Sequence, residues 1–360
     1  MATAIYWRAK EGRLSMSDRR SQGWSRREFL TKVTLGGAAG FLGLKSNSIG
    51  AEPPPETTRL KIADLPRGIC PAPQYVAEDL LRGEGFTELQ YVRKTTQNDL
   101  LRALLRAVAT GEAHMIVTFV SSLVSRLDAG DPLVFLAGSH VGCFELFGTD
   151  SVRAIRDLRG RTVAIAEEGS PEHLFLSVVL AYVGLDPRRD IRWVTYPAAE
   201  AMKLFSAGKI DAFLGFPPIP QELRARKIGH PILNSSVDRP WSQYFCCMIA
   251  ANRDFVREHP VATKRAVRAI VKSVNLCALE PERTARLLVE KGYTPRYDYA
   301  LQAMHEIPYG KWRDYDPEDT VRFYALSLHD IGMIKTSPNK LIAQGTDWRF
   351  IRELKKELKG

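Results

Sequence analysis

The chain is poor in three things that would each have narrowed its function. Cysteine is scarce: five in 360 residues, at positions 70, 143, 246, 247 and 277. The count is odd and the spacings match neither a zinc ligand set nor a disulfide framework. The expected role of these residues is therefore that of small buried apolar side chains, with a ligand-facing thiol as the exception. Long apolar runs are missing too. Val33 to Leu44 is Gly-rich and too short to span a bilayer, and no other segment is long and apolar enough. Charge of one sign is also wanting. The net charge is +10, but residues 1–51 carry nine Lys/Arg against three Asp/Glu, and the remainder carries 42 against 38. A balance that small, spread evenly, gives no nucleic-acid-binding signature.

The uneven N-terminus has a reading of its own. Ser25-Arg26-Arg27-Glu28-Phe29-Leu30-Thr31-Lys32 matches the twin-arginine export pattern S-R-R-x-F-L-x-K. The short apolar segment follows, then Ile49-Gly50-Ala51 as a cleavage site. No cysteine follows the apolar segment at such a site, which argues against a lipoprotein anchor. Residues 1–51 are expected to be a twin-arginine signal peptide read by the twin-arginine translocase. Residues 52–58 follow as a linker, and the mature protein is expected to be soluble and periplasmic.

The rest is organised around Thr162 to Leu185. Thr162 to Ala166 is a short buried strand, and Glu167 to Ser170 is a turn. Ser170 is placed to cap a helix whose first residue is Pro171, where a missing N–H costs nothing. Such a helix start favours an anion, because free N–H groups and the positive helix end point the same way. An ordinary βα turn has the same pattern. On either side, strand and helix patterns alternate from Leu60 to Phe147 and again from Ser151 to Leu233. Tyr244 to Ala251 reads as an apolar strand returning to the first half, and helical patterns follow it. Ala109 to Phe119 echoes Ser206 to Phe216 at an offset of 97: helix end, Gly, turn, buried strand. Two similar α/β halves are expected to face each other, with the loops at the strand carboxyl ends lining a cleft.

Several ordered pieces carry a family resemblance. They are A-P-Q-Y-V-A-E at Ala72 to Glu78, G-E-A-H-M-I-V-T-F-V-S-S at Gly111 to Ser122, and V-A-I-A-E-E-G-S at Val163 to Ser170. G-K-I-D-A-F-L-G-F-P-P at Gly208 to Pro218 and A-A-N-R-D-F-V-R-E-H-P at Ala250 to Pro260 complete the set. In these the chain resembles the periplasmic binding proteins of nitrate/sulfonate/taurine-type ABC transporters, which share a domain family with thiamine pyrimidine synthase. The resemblance implies an α/β, two-lobed, type II-like clamshell with additional C-terminal helices. Lobe 1 would take residues 59–147 and 244–360, and lobe 2 residues 148–243. It also implies a monomer that closes on one small-molecule ligand and docks on an ABC permease, with no cofactor and no nucleic acid.

Carried over by motif, the pocket draws on Arg67 and Cys70, on Thr118, Ser121 and Ser122, on Glu168, Gly169, Ser170 and His173, and on Phe216, with Tyr244 at the return strand. Arg67 is the one cation expected to meet a sulfonate or carboxylate through its fork. Ser121 and Ser122 have helix capping as a competing role. Glu168, if turned inward, favours a ligand with an amine, such as an amino-sulfonate or an aminopyrimidine. Two other functions share the resemblance. A thiamine pyrimidine synthase-like enzyme would need pyridoxal phosphate, iron and a cysteine-rich motif. Phe245-Cys246-Cys247-Met248 matches that motif only in fragments, and no lysine stands out as an anchor. A periplasmic sensor docking on a receptor has the same sequence features as a transporter subunit.

Overall fold

The structure, a computed structural model, describes residues 52–358 apart from 66–67 and 95–99. The export segment and Arg67 lie outside the described residues.

Alternating apolar runs build the first sheet. Strand β1 (Arg59–Ala63) leads through two short helices, α1 (Ala72–Val76) and α2 (Glu78–Gly83), to β2 (Glu88–Val92). The sequence predicts one helix here, and a turn at Ala77 divides it. Helix α3 (Leu100–Ala109), strand β3 (Met115–Phe119), helix α4 (Val120–Asp128) and strand β4 (Leu133–Val141) follow. The chain then crosses to a second sheet with β5 (Glu145–Gly148), β6 (Thr162–Ile165), α5 (Pro171–Tyr182) and β7 (Arg192–Thr195). Helix α6 (Ala198–Ser206), β8 (Ala212–Gly215), α7 (Ile219–Ala225) and β9 (His230–Asn234) complete it. Strand β10 (Phe245–Asn252) returns to the first sheet.

The strand orders are β2-β1-β3-β10-β4 and β7-β6-β8-β5-β9. Each sheet has a parallel part, into which the strand arriving from the other sheet inserts antiparallel: β10 between β3 and β4, β5 between β8 and β9. The echo in the sequence has a structural counterpart, since β3 and β8 hold the same central place. Each is preceded by a glycine at positive φ, Gly111 at 76° and Gly208 at 66°.

The two crossings are stitched together. The Ser235 hydroxyl accepts from the N–H groups of Cys143 (3.0 Å) and Phe144 (2.8 Å) and donates to the Phe144 carbonyl (3.0 Å). Gly142 makes this approach possible. Its φ is +47°, and a Cβ there would lie 2.3 Å from the Ser235 carbonyl oxygen.

After β10 the chain is helical: α8 (Arg253–Glu258), α9 (Pro260–Leu279), α10 (Pro281–Glu290), α11 (Tyr297–Glu306), α12 (Pro317–Asp330), α13 (Pro338–Gly345) and α14 (Arg349–Glu357). Helices α8 and α13 are short, and sequence periodicity does not single them out. Helix α12 packs against both α4 and α5, which touch each other. One apolar cluster runs from Leu60 on β1 through Leu174 on α5 and Leu214 on β8 to Leu354 on α14. The stretch expected to be a linker is held down instead. The Glu56 carboxylate accepts from the N–H groups of Val261 (2.9 Å) and Ala262 (2.8 Å) at the start of α9. A carboxylate at that end meets both unpaired donors and the positive pole of the helix.

Candidate functional site

Strand β3 runs into α4 without a linker. Phe119 is the N-cap, and no side chain hydrogen-bonds to close the helix start. Ser121 and Ser122 are inside the first turn, so the capping role does not apply to them. Both are buried, at 2% and 5% exposure, and the Ser122 Oγ has no hydrogen-bond partner. Thr118 Oγ1, on β3, is also buried and unpaired. Orphaned hydroxyls in a tight interior cost free energy, which a ligand offering an acceptor recovers.

The second helix start is built differently. After β6 the chain turns at Gly169 (φ +78°), and Ser170 caps α5 by accepting from the His173 N–H at 3.3 Å. The Gly169 N–H donates to His173 Nδ1 at 2.9 Å, and the His173 ring packs edge-on to Trp193 at 4.9 Å. Burial lowers the pKa of His173, although the Glu168 charge opposes this. An acceptor Nδ1 fits the neutral form. His173 thus supports the turn. Glu168 is exposed, while Glu167 is half-buried and pairs with Arg102 at 3.7 Å. With Glu168 in solvent and Glu167 matched by a cation, the argument for an amine-bearing ligand loses its basis.

The two helix starts share one cavity of about 100 Å³. Arg102 of α3, Ser122 and Arg126 of α4, and Glu167, Gly169 and Ser170 of the β6–α5 turn line it. Arg126 is held by a two-pronged pair with Asp131, at 2.7 and 2.8 Å. Arg102 also donates to the Glu168 carbonyl at 3.4 Å. The two arginines were missed in the sequence. Their signal was there for Arg126, which follows Ser122 by four residues and so shares its helix face. A half-buried acid was missed as well. Glu172, in the first turn of α5, has an Oε2 sealed from solvent without a partner, and burial pushes its carboxyl pKa up.

Other expected residues lie elsewhere. Phe216 faces Phe119 edge-on at 5.1 Å, and Phe119 stacks on Phe144 at 5.2 Å, so these rings fill the space where the β3 and β8 ends meet. Tyr244 stacks on Phe323 of α12 at 4.0 Å, turned toward the C-terminal helices. Cys70 is fully buried, and it does not line the cavity. A larger cavity of about 400 Å³ lies by Val134, at the beginning of β4, and by Arg253, Arg257 and Arg349. It is at the strand end away from the crossings. Two of its arginines pair with their own neighbours, Arg257 with Asp254 (3.1 Å) and Arg349 with Asp347 (2.9 Å).

Comparison with known proteins places this geometry. Residues 147–290 match the NMT1-like family. The bicarbonate-binding protein CmpA of Synechococcus elongatus is 26% identical over 109 residues, which are 30% of this chain and 24% of that protein. The chain thus spans about a quarter of the length of the curated relatives it matches. Among solved structures, the periplasmic nitrate-binding protein NrtA of Synechocystis superposes with a TM-score of 0.71 at 14% identity, covering 85% of this chain and 90% of that one. A putative sulfonate-binding protein SsuA of Methylobacillus flagellatus does so with a TM-score of 0.64 at 17% identity, covering 83% and 94%. The desulfurization enzyme DszB shares the fold at a TM-score of 0.57 and 14% identity, covering 83% and 99%. The fold is that of the periplasmic binding proteins, and the resemblance to the nitrate- and sulfonate-type solute-binding proteins holds. Fold by itself does not separate binding from turnover.

Proposed function

We propose that the protein is the solute-binding component of an ABC importer and captures a small oxyanion between its two halves. The observation that carries this is the shared cavity, where the α4 start, without a side-chain cap, and the Ser170-capped α5 start meet beside two arginines. Helix starts favour negative charge, and the two guanidinium groups, paired with Glu167 and Asp131, carry further N–H donors that an oxyanion can meet. Size narrows the class. A space of about 100 Å³ suits a small ion of the bicarbonate or nitrate type better than an aromatic acid. The bicarbonate and nitrate relatives support the same class. The lobes divide at the two crossings, the segment from β5 to β9 forming one and the segments before β5 and from β10 onward the other, and ligand stabilises the closed arrangement because its site draws on α4 of one lobe and α5 of the other. Export by the twin-arginine route, release as a periplasmic monomer and delivery to a permease complete the proposal.

A thermal-shift panel tests it. Bicarbonate, nitrate, nitrite, short alkanesulfonates, aromatic carboxylates and pyrimidines are each added to the purified protein. A native-state ligand raises the melting point by mass action. The expected result is a rise with one or more small oxyanions. A rise with pyrimidines alone points to the synthase-like reading, and a flat panel removes the binding assignment.

A further inference from the structure

Four of the five cysteines, separated by up to 177 positions in the sequence, meet at one point of the fold. Cys70 arrives on the loop after β1, and Cys143 on the crossing out of β4. Cys246 and Cys247 arrive on the first residues of β10. His140, near the end of β4, joins them. The ligating atoms of Cys70, His140 and Cys143 all lie within 4.8 Å of one another. Cys143 Sγ is 2.9 Å from Cys246 Sγ, and the Cys247 thiol lies close to both Cys143 and His140 without hydrogen-bonding to His140 Nε2. Residues 246 and 247 are adjacent on a strand and would ordinarily point to opposite faces. Register shifts between β10 and β4 at Phe245/Cys247 and Cys247/Met248 lift that restriction.

The histidine is prepared for a ligand. Its Nδ1 lies 3.3 Å from the Val141 carbonyl and 3.2 Å from the Gly142 carbonyl, so Nδ1 carries the proton. Its Nε2 lone pair is then free, and Nε2 is buried with no hydrogen-bond partner. A carbonyl that fixes the tautomer from behind is the usual support of a metal-binding imidazole. The site is closed to water: Cys70 and His140 are 0% exposed, Cys247 1%, Cys143 3% and Cys246 4%.

The geometry points to a buried metal site in which Cys70, His140 Nε2 and Cys143 bind a Zn(II)-like cation, with a fourth ligand from the Cys246–Cys247 pair. Three thiolates and one imidazole form a four-coordinate set that suits Zn(II). At a Zn–S length of about 2.3 Å, ligand atoms of a tetrahedron sit roughly 3.8 Å apart, so the present cluster needs adjustments of about 1 Å. A Cys143–Cys246 disulfide, the competing use of these thiols, would employ two sulfurs and leave the His140 Nε2 unpaired. The metal would tie the β1 loop to both strands that carry the chain between the sheets. It is therefore a structural cross-link beside the two crossings, apart from the oxyanion cavity.

The test uses the full-length reduced protein, first stripped with a chelator. Co(II) alone is titrated in, then Zn(II). The expected result is a near-ultraviolet thiolate-to-cobalt band and visible bands of tetrahedral Co(II), saturating at one equivalent and erased by one equivalent of Zn(II). Elemental analysis then returns one zinc per chain. Cys70→Ser and His140→Ala remove or shift the bands, while Cys277→Ser, which alters a buried cysteine outside the cluster, keeps them. A folded, fully reduced wild-type protein that gives no thiolate–cobalt band and retains no zinc overturns the proposal. So does a native protein whose Cys143 and Cys246 are joined as a disulfide. The oxyanion assay is read separately, because its cavity includes none of these five residues.

Discussion

His114, in the turn that leads into β3, carries a measurable load. Its Nδ1 accepts the Lys61 N–H at 3.2 Å, and its ring stacks on Phe255 at 4.3 Å. Burial, with the Lys61 charge, brings its pKa down from 6.5 to about 4. The folded state therefore binds fewer protons than the unfolded chain between those values. Stability contributed by neutral His114 is present above pH ~6.5 and is lost as pH falls toward 4, by on the order of 2 kcal/mol once the screening of its partly exposed ring by water is discounted. His114→Asn keeps an acceptor at the same distance from the backbone and removes the titration. Urea unfolding at pH 7.5 and pH 4.5 is expected to show a smaller acid loss in the variant than in the wild type. An equal loss in both would place the acid sensitivity elsewhere. The cysteines are the opposite case at this scale. Their burial was legible from composition, but their convergence was not, because it depends on a topology that brings the β1 loop, the β4 exit and the β10 entry together.

At the scale of elements, α4 and α5 divide their roles. The α5 start was legible in full: strand, turn, Ser cap and Pro171 appear in the sequence in the order the structure holds them. The α4 start was legible as a helix beginning, but its serines had two readings, and only the backbone places them beyond the cap. That contrast is measurable. Ser170→Ala removes a working cap and is expected to cost about 1 kcal/mol in urea unfolding of the ligand-free protein. Ser122→Ala removes a hydroxyl with no partner and is expected to leave that stability unchanged or raised, while weakening oxyanion binding at least several-fold. If Ser122→Ala destabilises as much as Ser170→Ala and binding is untouched, Ser122 is a structural residue. The helices α8 and α13 were illegible because each spans fewer than three turns and ends at a Pro or Gly boundary that reads as loop.

At the scale of the molecule, the C-terminal helices bridge the two sheets. Arg224, on α7 of the second half, donates through Nη2 to both carboxylate oxygens of Glu306 of α11, at 2.7 and 2.6 Å, and through Nη1 to Glu145 of β5. Gln221 donates to Glu306 at 2.8 Å. Glu145 is buried, and Arg224 is only partly exposed, so breaking this cluster leaves charge without a partner. In a protein that closes on its ligand, a contact of this kind favours the closed state. Glu306→Gln is expected to enlarge the radius of gyration of the ligand-free protein in solution scattering and to raise the ligand dissociation constant several-fold, about 1 kcal/mol of bias. An unchanged radius together with unchanged affinity would show that the cluster has no share in closure. The two-sheet architecture itself was legible, because the echo between Ala109–Phe119 and Ser206–Phe216 and the apolar return strand fix its symmetry. Which face each helix presents to the cavity was not legible, since helix rotation is set by packing against neighbours far along the chain. The most direct measurement is a calorimetric titration of bicarbonate, nitrate and a short sulfonate into the wild type and into Ser122→Trp, with circular dichroism verifying that both are folded. One oxyanion binding the wild type at one site per chain, and failing to bind a folded Ser122→Trp, is the predicted result; equal affinity in both proteins would contradict it.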